Sequence, residues 1–219
     1  MGQYGKKGIY NGYDKNHKER EALDYYATPP KEVTNILETL GLDLKDKTIL
    51  EPSCGGGHMV EGIYKYDGRA QIIASDIMQR KNPFLVRDAV GDTIMYYYGT
   101  KYDFLSEDYP FDKADIVIMN PPFSVAAPFI IHGLEIATDK LIVFGRTKLV
   151  ETKKRYEEIF SKFPPTDIYQ YIDRVACAKN GDFDNTSAIE AHAWFIWDKQ
   201  TMNDNELYDT KFHWIWSKK

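Results

Sequence analysis

Two short stretches of the chain carry residue types that could do chemistry. In Ala114–Ser124, ADIVIMNPPFS, an apolar run ends abruptly on an amide, two imino acids and an aromatic ring. Pro121 and Pro122 have no N–H, and each restricts the residue before it, so the carbonyls of this turn are fixed in direction with no competing donor beside them. Asn120 can offer its amide oxygen and the di-proline a second carbonyl, and two acceptors in a rigid frame suit an exocyclic amine with two N–H donors. Phe123 adds a face on which a planar heterocycle can stack. A proline-rich turn closing a strand would explain Pro121 and Pro122 but not the asparagine and phenylalanine that bracket them.

The second stretch is Ile49–Gly57, ILEPSCGGG. Glu51 and Pro52 close an apolar run, and the glycines Gly55, Gly56 and Gly57 let the backbone approach a ligand closely and adopt positive φ. The spacing is neither Gly-x-Gly-x-x-Gly nor a Gly-Lys-Ser/Thr loop, so a cofactor with a ribose but no pyrophosphate fits better than a dinucleotide. Asp76 closes the run QIIASD, where an acid can accept hydrogen bonds from ribose hydroxyls; a helix N-cap would look the same. Asp103 and Phe104 could supply an adenine-edge contact and a stacking face, or be a turn acid beside a core aromatic.

These residues share a position: each lies at the end of a short apolar run. Thr28-Pro29-Pro30 opens a helix, with Thr28 as N-cap, Pro29 at the first helical position, Val33, Ile36, Leu37 and Leu40 at helical spacing, and Gly41 as a stop. The strand-like runs KTILEPS, QIIASD, ADIVIMN and KLIVFG alternate with helical HMVEGIYKY, VAAPFIIHGLEIAT and LVETKKRYEEIFSKF, and DIYQYI and AHAWFIW follow as aromatic-rich strands. That alternation predicts an α/β fold, a doubly wound, mostly parallel sheet covered on both faces, in which ligands bind outside the carboxyl ends of the strands. Met78–Phe111 fits the pattern least, with a strand expected in IMYYY or YDF. Residues 1–23, polar and containing four glycines, read as a flexible arm, and residues 24–219 as a single domain.

At 219 residues with 43% hydrophobic and 28% charged composition, the chain has the make-up of an ordinary globular protein. No apolar run approaches the roughly 18 residues that span a bilayer, and the N-terminus lacks a signal-peptide core, so no membrane association and a cytoplasmic location are expected. Cys54 and Cys177 are too few for a disulfide framework, and neither they nor the five histidines stand at metal-ligand spacing, so no metal is expected. A net charge of −5 argues against indiscriminate attraction to nucleic acid. Its distribution is uneven, with nine cations between Lys140 and Lys179. On charge alone such a run is a solvated face.

ILEPSCGGG followed by NPPF resembles the S-adenosylmethionine-dependent amino-methyltransferases, and most closely the small phage- and prophage-type DNA adenine-N6 methyltransferases. The likeness extends over most of the chain, including DYYATPP ahead of the glycine loop and AHAWFIWDK near the end. It implies a Rossmann-like methyltransferase fold with a seven-stranded sheet and a C-terminal antiparallel strand. It further implies that Thr28 and Pro29 border the methionine part of S-adenosyl-L-methionine. Glu51, Pro52 and Gly55 to Gly57 would line the cofactor's approach to the backbone. Asp76 and Ile77 would meet the ribose and adenine, and Asp103 with Phe104 the adenine edge. Asn120, Pro121, Pro122 and Phe123 would hold the target base. Only 96 residues follow Phe123, which leaves no room for a separate target-recognition domain and implies a short or degenerate sequence context in DNA.

Chemically, the lone pair of adenine N6 is delocalised into the ring, and acceptors on both N–H groups favour the pyramidal form that develops in the transition state. No general base is obligatory, since the amine becomes acidic as the methyl arrives. Cytosine-C5 methylation would require a nucleophilic cysteine in a strand-end Pro-Cys, which is absent. Rival readings are an RNA amino-methyltransferase acting on adenine N6 or guanine N2, methylation of a protein glutamine, and a catalytically silent cofactor-binding module.

Overall fold

Eight strands pair into one sheet in the computed structural model, which describes residues 25–78, 86–87, 93–94, 97–184, 186, 188–202 and 208–218. The arm expected over residues 1–23 lies outside the described residues. The strands are β1 (Thr48–Glu51), β2 (Gln71–Asp76), β3 (Tyr97–Lys101), β4 (Ala114–Met119), β5 (Ala137–Arg146), β6 (Asp167–Tyr171), β7 (His192–Asp198) and β8 (Lys211–Ile215). Their spatial order is β8-β6-β7-β5-β4-β1-β2-β3. Strands β1 to β5 run parallel, with Leu50 opposite both Ile73 and Val117, and Val117 opposite Leu141. β7 is antiparallel to both β5 and β6. The seven expected strands are therefore present with the expected antiparallel member, and β8 is an addition, parallel to β6 at the edge. β3 occupies Tyr97–Lys101, so the poorly patterned segment does supply a strand, starting inside the tyrosine run.

The period-2 alternation of buried strands decides which side chain faces which helix layer. On β4, Ile116 and Ile118 join one core with Val33, Ile36 and Leu37 of α1 (Pro30–Leu40) and Met59, Val60 and Ile63 of α2 (His58–Tyr66). Val117 and Met119 join the other, with Phe129, Ile130 and Leu134 of α3 (Ala126–Ile136). Both faces of the central strands are thus apolar, which is why they read as continuous hydrophobic runs. Among the described residues no helix is long and apolar enough to cross a membrane.

The helix expected after Thr28 forms, but Pro29 is its N-cap and Pro30 its first residue. No side chain caps it: Thr28 is buried and its hydroxyl is engaged elsewhere, with Asn120. Gly41 ends α1 at φ 61°, its N–H returning to the Glu38 carbonyl at 3.0 Å. The chain order reverses between β1 and β4, so the carboxyl ends of these two strands flank the crevice where an open α/β sheet takes its ligand.

Candidate active site

A cleft of about 400 Å³ opens at that crevice, bordered by the strand-end residues Glu51, Asp76, Asn120 and Arg146. Of the residues singled out from the sequence, Thr28, Glu51, Pro52, Asp76, Ile77, Asp103, Phe104, Asn120, Pro121, Pro122 and Phe123 all line it. Pro29, Gly55 and Gly57 do not. Pro29 is turned into the start of α1, and the glycine loop is covered by a side chain that sequence reasoning missed. A Cβ on Gly55 would stand 2.1 Å from Tyr25 Cε2, and one on Gly56 2.7 Å from the Tyr25 hydroxyl. The close approach that the glycines permit is made by Tyr25. Its hydroxyl accepts from Gly56 N–H at 2.7 Å and stands 3.1 Å from His58 Nδ1. Gly55 and Gly57 do have the positive φ expected of them, 51° and 81°.

Glu51 ends β1 with only 1% of its surface exposed. Oε1 accepts from the Ser53 N–H and hydroxyl, both at 3.1 Å, while Oε2 is buried without a hydrogen-bond partner among the described residues. Burial, and next the neighbouring Asp76 carboxylate, hold the Glu51 carboxyl well above the ordinary carboxylate range. A buried oxygen without a donor costs free energy, so this end of the cleft is built for a ligand that brings a donor, best a cationic one. Asp76 is committed on both oxygens: Oδ2 accepts from Gly55 N–H and Oδ1 from Met78 N–H, each at 2.8 Å. It fastens the glycine loop to the end of β2 and caps a turn rather than a helix; carboxylate oxygens have lone pairs left for a diol. Asp103 accepts from Leu105 N–H at 3.1 Å, the turn role. Phe104 is 1% exposed and packed edge-on against Tyr109 and His132, so its ring closes the cleft floor and presents no open stacking face.

At the other end, Asn120 Nδ2 donates to the Tyr26 carbonyl at 2.9 Å and to Thr28 Oγ1 at 3.0 Å. Both amide hydrogens are used, which fixes the side-chain flip and leaves Oδ1 as the acceptor available to a ligand. Of the two proline carbonyls, that of Pro122 accepts from Val125 N–H at 3.1 Å, which leaves that of Pro121. Tyr26 and Ala27 are held in turn by an antiparallel pairing with Lys179 and Ala178, and Tyr25 O accepts from Asn180 N–H at 2.9 Å. The segment before α1 is thus clamped between the glycine loop, Asn120 and the loop preceding β7.

Further cleft residues were not foreseen from the sequence. Arg146, at the end of β5, lies 5.3 Å from the Phe123 ring centroid and 5.7 Å from that of Tyr26, and pairs with Glu190 at 3.9 Å. His192 stacks on Phe144 with ring centroids 5.0 Å apart, its Nε2 facing Cys177 Sγ at 3.6 Å. Burial first, and Arg146 next, push His192 down to about 4, and burial pushes the Cys177 thiol up to about 12. The two are a neutral pair at physiological pH, without a thiolate nucleophile. The signal for Arg146 was its place at a strand end; nothing local marked Tyr25, Cys177 or His192. Among the described residues no three metal-ligating side chains come together.

No protein-family model matches the chain. Over 107 residues it is 34% identical to the type II methyltransferase M.CvrRI of Paramecium bursaria Chlorella virus XZ-6E, covering 48% of this chain and 26% of that protein. The chain thus spans about a quarter of that relative's length. Among solved structures, the modification subunit of a candidate type I restriction enzyme from Vibrio vulnificus YJ016 superposes with TM-score 0.58 at 12% identity, covering 91% of this chain and 49% of that one. A candidate RNA methyltransferase from Pyrococcus horikoshii gives TM-score 0.55 at 19% identity, covering 80% and 87%. At such identities the likeness is one of architecture, and the architecture is the Rossmann-like methyltransferase fold.

Proposed function

We propose that the chain transfers a methyl group from S-adenosyl-L-methionine to the exocyclic N6 amine of adenine in DNA, within one domain over residues 24–219. The observation that carries this is the fixed amide of Asn120: with Nδ2 donating to Tyr26 and Thr28, Oδ1 and the Pro121 carbonyl remain as two acceptors in the cleft that Phe123 also lines. An oxygen nucleophile would not need that pair; a protein glutamine amide could use it, but would leave the basic stretch after Lys140 without a purpose. The name of the viral relative, a type II methyltransferase, supports DNA as the polymer.

The cofactor's residues fit the group. The partnerless Oε2 of Glu51 suits an ammonium, and Asp76 at the end of β2 suits a ribose diol. When bound, the cofactor supplies an electrophilic methyl on a sulfonium. The chain's part is to orient and to exclude water. Asn120 Oδ1 and the Pro121 carbonyl accept from the two N–H groups of the amine, more strongly as it pyramidalises and gains positive charge. Phe123 holds the plane of the base, and Phe104 closes the floor. Proton loss follows transfer and needs no side-chain base; His192 in the cleft, its pKa pushed down to about 4, is too weak a base to hold that proton at neutral pH.

The test is methyl acceptance by unmethylated duplex DNA against total RNA, followed by nucleoside analysis of the product. N6-methyladenine in DNA supports the proposal. Methyl transfer to RNA alone would replace DNA by RNA, and transfer to neither with intact cofactor binding would leave a silent binding module.

A further inference from the structure

The ring assigned to the target base already carries a planar group. Arg155 places its guanidinium carbon 4.2 Å from the Phe123 ring centroid, a stacking distance. Its other contact is one N–H donated to the Lys148 carbonyl at 2.8 Å. The neighbouring cations each have a carboxylate at ion-pair distance: Lys153 and Lys154 reach Glu157 and Glu158, and Arg146 and Lys148 share Glu190. Among the described residues Arg155 has no carboxylate partner within ion-pair distance. It is a half-buried cation spent on a ring and a carbonyl.

The backbone that presents it is unusual. Thr152, a β-branched residue, sits at φ 87°, where L side chains are rarely found. Its hydroxyl accepts from Arg155 N–H at 3.4 Å, a single turn follows, and Tyr156–Phe160 then widens into a π-type turn closed by Ser161 N–H on the Tyr156 carbonyl. Strained residues and π turns persist where the surroundings hold a side chain at a working position.

We propose that Arg155 is a positioning residue for the target nucleotide: it covers the Phe123 face in the empty protein, yields that face to the base, and takes the adjoining backbone phosphate. A guanidinium on an aromatic ring has the shape of a stacked base, so a base can use the same face only once the guanidinium leaves it. Its planar fork, which Glu151 and Glu158 attract only from beyond ion-pair distance, matches phosphate oxygens. Charge and stacking thus serve successive stages of one event. The inference rests on the proposed transfer to nucleic acid.

The experiment compares wild type, Arg155→Ala and Arg155→Lys. Binding of a short labelled duplex of mixed sequence is followed through a salt series, with methyl transfer to unmethylated genomic DNA alongside. Arg155→Ala is expected to weaken binding about tenfold at physiological salt. It should also reduce the slope of log affinity against log salt by about 0.9, one phosphate's share. It should lower kcat/KM more than kcat and leave cofactor affinity unchanged. Arg155→Lys keeps a cation for the phosphate but loses the planar fork that meets two of its oxygens, so its salt slope stays at the wild-type value while kcat/KM falls. If the alanine variant folds poorly, the lysine variant carries the test alone, since a lowered salt slope there would contradict the assignment. A wild-type slope and affinity in Arg155→Ala would overturn it, and tighter binding would reduce Arg155 to a plug. Absence of methyl transfer by the wild type to any nucleic acid would instead defeat the proposed function, while the salt slope would still report on Arg155.

Discussion

Replacing Glu51 by glutamine separates the stability of the protein from its affinity for the cofactor. The carboxyl is 1% exposed, with one oxygen shared by two Ser53 donors and the other without a partner. Its folded pKa lies well above the ordinary 4.5, from burial first and Asp76 second. The sign follows. Below the unfolded-state value both states hold the proton and pH has no effect; as pH rises past it, the unfolded chain releases the proton more readily, so stability falls until the folded group ionises too. At neutral pH the cost cannot exceed protonation of a group of ordinary pKa, about 3 kcal/mol at 1.36 kcal/mol per pH unit. Glutamine is near-isosteric and never ionises. Glu51→Gln should therefore melt above wild type at neutral pH, by up to that amount, and converge with it near pH 4.

Cofactor binding should move the other way. An ammonium brought to Oε2 makes a charge-assisted hydrogen bond of about 1.5–3 kcal/mol, so the variant should bind S-adenosylmethionine roughly ten- to a hundredfold more weakly. Wild-type binding should also release a proton as Glu51 ionises to meet that charge. Scanning calorimetry across pH, with titration calorimetry in buffers of different ionisation enthalpy, reads all three effects. A variant with the wild-type pH profile, unchanged affinity and the same proton release would refute the assignment of Oε2 to the ligand.

Asn120→Ala should abolish methyl transfer in a single-turnover assay while cofactor affinity stays within a few-fold; parallel loss of both would make the motif structural. Asp76→Ala should weaken cofactor binding at least tenfold by calorimetry, because the ribose acceptor and the tether of Gly55 N–H go together. Gly55→Ala should lower stability by about 1–3 kcal/mol in denaturant melts, since its φ is 51° and its Cβ would meet the Tyr25 ring at 2.1 Å; a neutral effect would mean that Tyr25 is not seated on the loop. Sequencing every methylated adenine in a long DNA should show a short or degenerate context, and a unique site of six or more base pairs would exclude that for a monomer acting alone.

Much of the frame was legible because it rests on local rules. Apolar runs of four to six residues with β-branched content became β1, β2 and β4, and the residues closing them, Glu51, Asp76 and Asn120, meet at one cleft because parallel strands end on one side. The glycine stop of α1 was equally local, as Gly41 at positive φ confirms. Thr28 was misplaced for a physical reason. As a threonine before two prolines it has the chemistry of an N-cap, and only the fold reveals that Asn120, 92 residues away, takes its hydroxyl instead. β8 escaped notice because KFHWI at an open edge has exposed aromatics where a covered strand would alternate with polar residues: Phe212 is 55% and Trp214 65% exposed. Asp103 and Phe104 took the second of the two readings open to them, a turn acid beside an aromatic that the core claimed.

The partners that orient the chemistry lay beyond any window of sequence. Asn120 alone offers a donor group and an acceptor group, and which of them meets a ligand depends on what takes the other. Tyr26 O and Thr28 Oγ1 take both hydrogens, and they stand where they do because Lys179 and Ala178 pair with Tyr26 and Ala27 while Gly56 N–H holds Tyr25. The direction of one amide is therefore set jointly by the glycine loop, the segment before α1 and the loop before β7. That arrangement binds the two ends of the cleft mechanically: Tyr25 touches the loop that Asp76 tethers, and the next residue in the chain fixes Asn120. A disturbance of the glycine loop has a route of three residues to the acceptor that would meet the amine, so the glycine-loop end and the Asn120 end of the cleft are built as one unit.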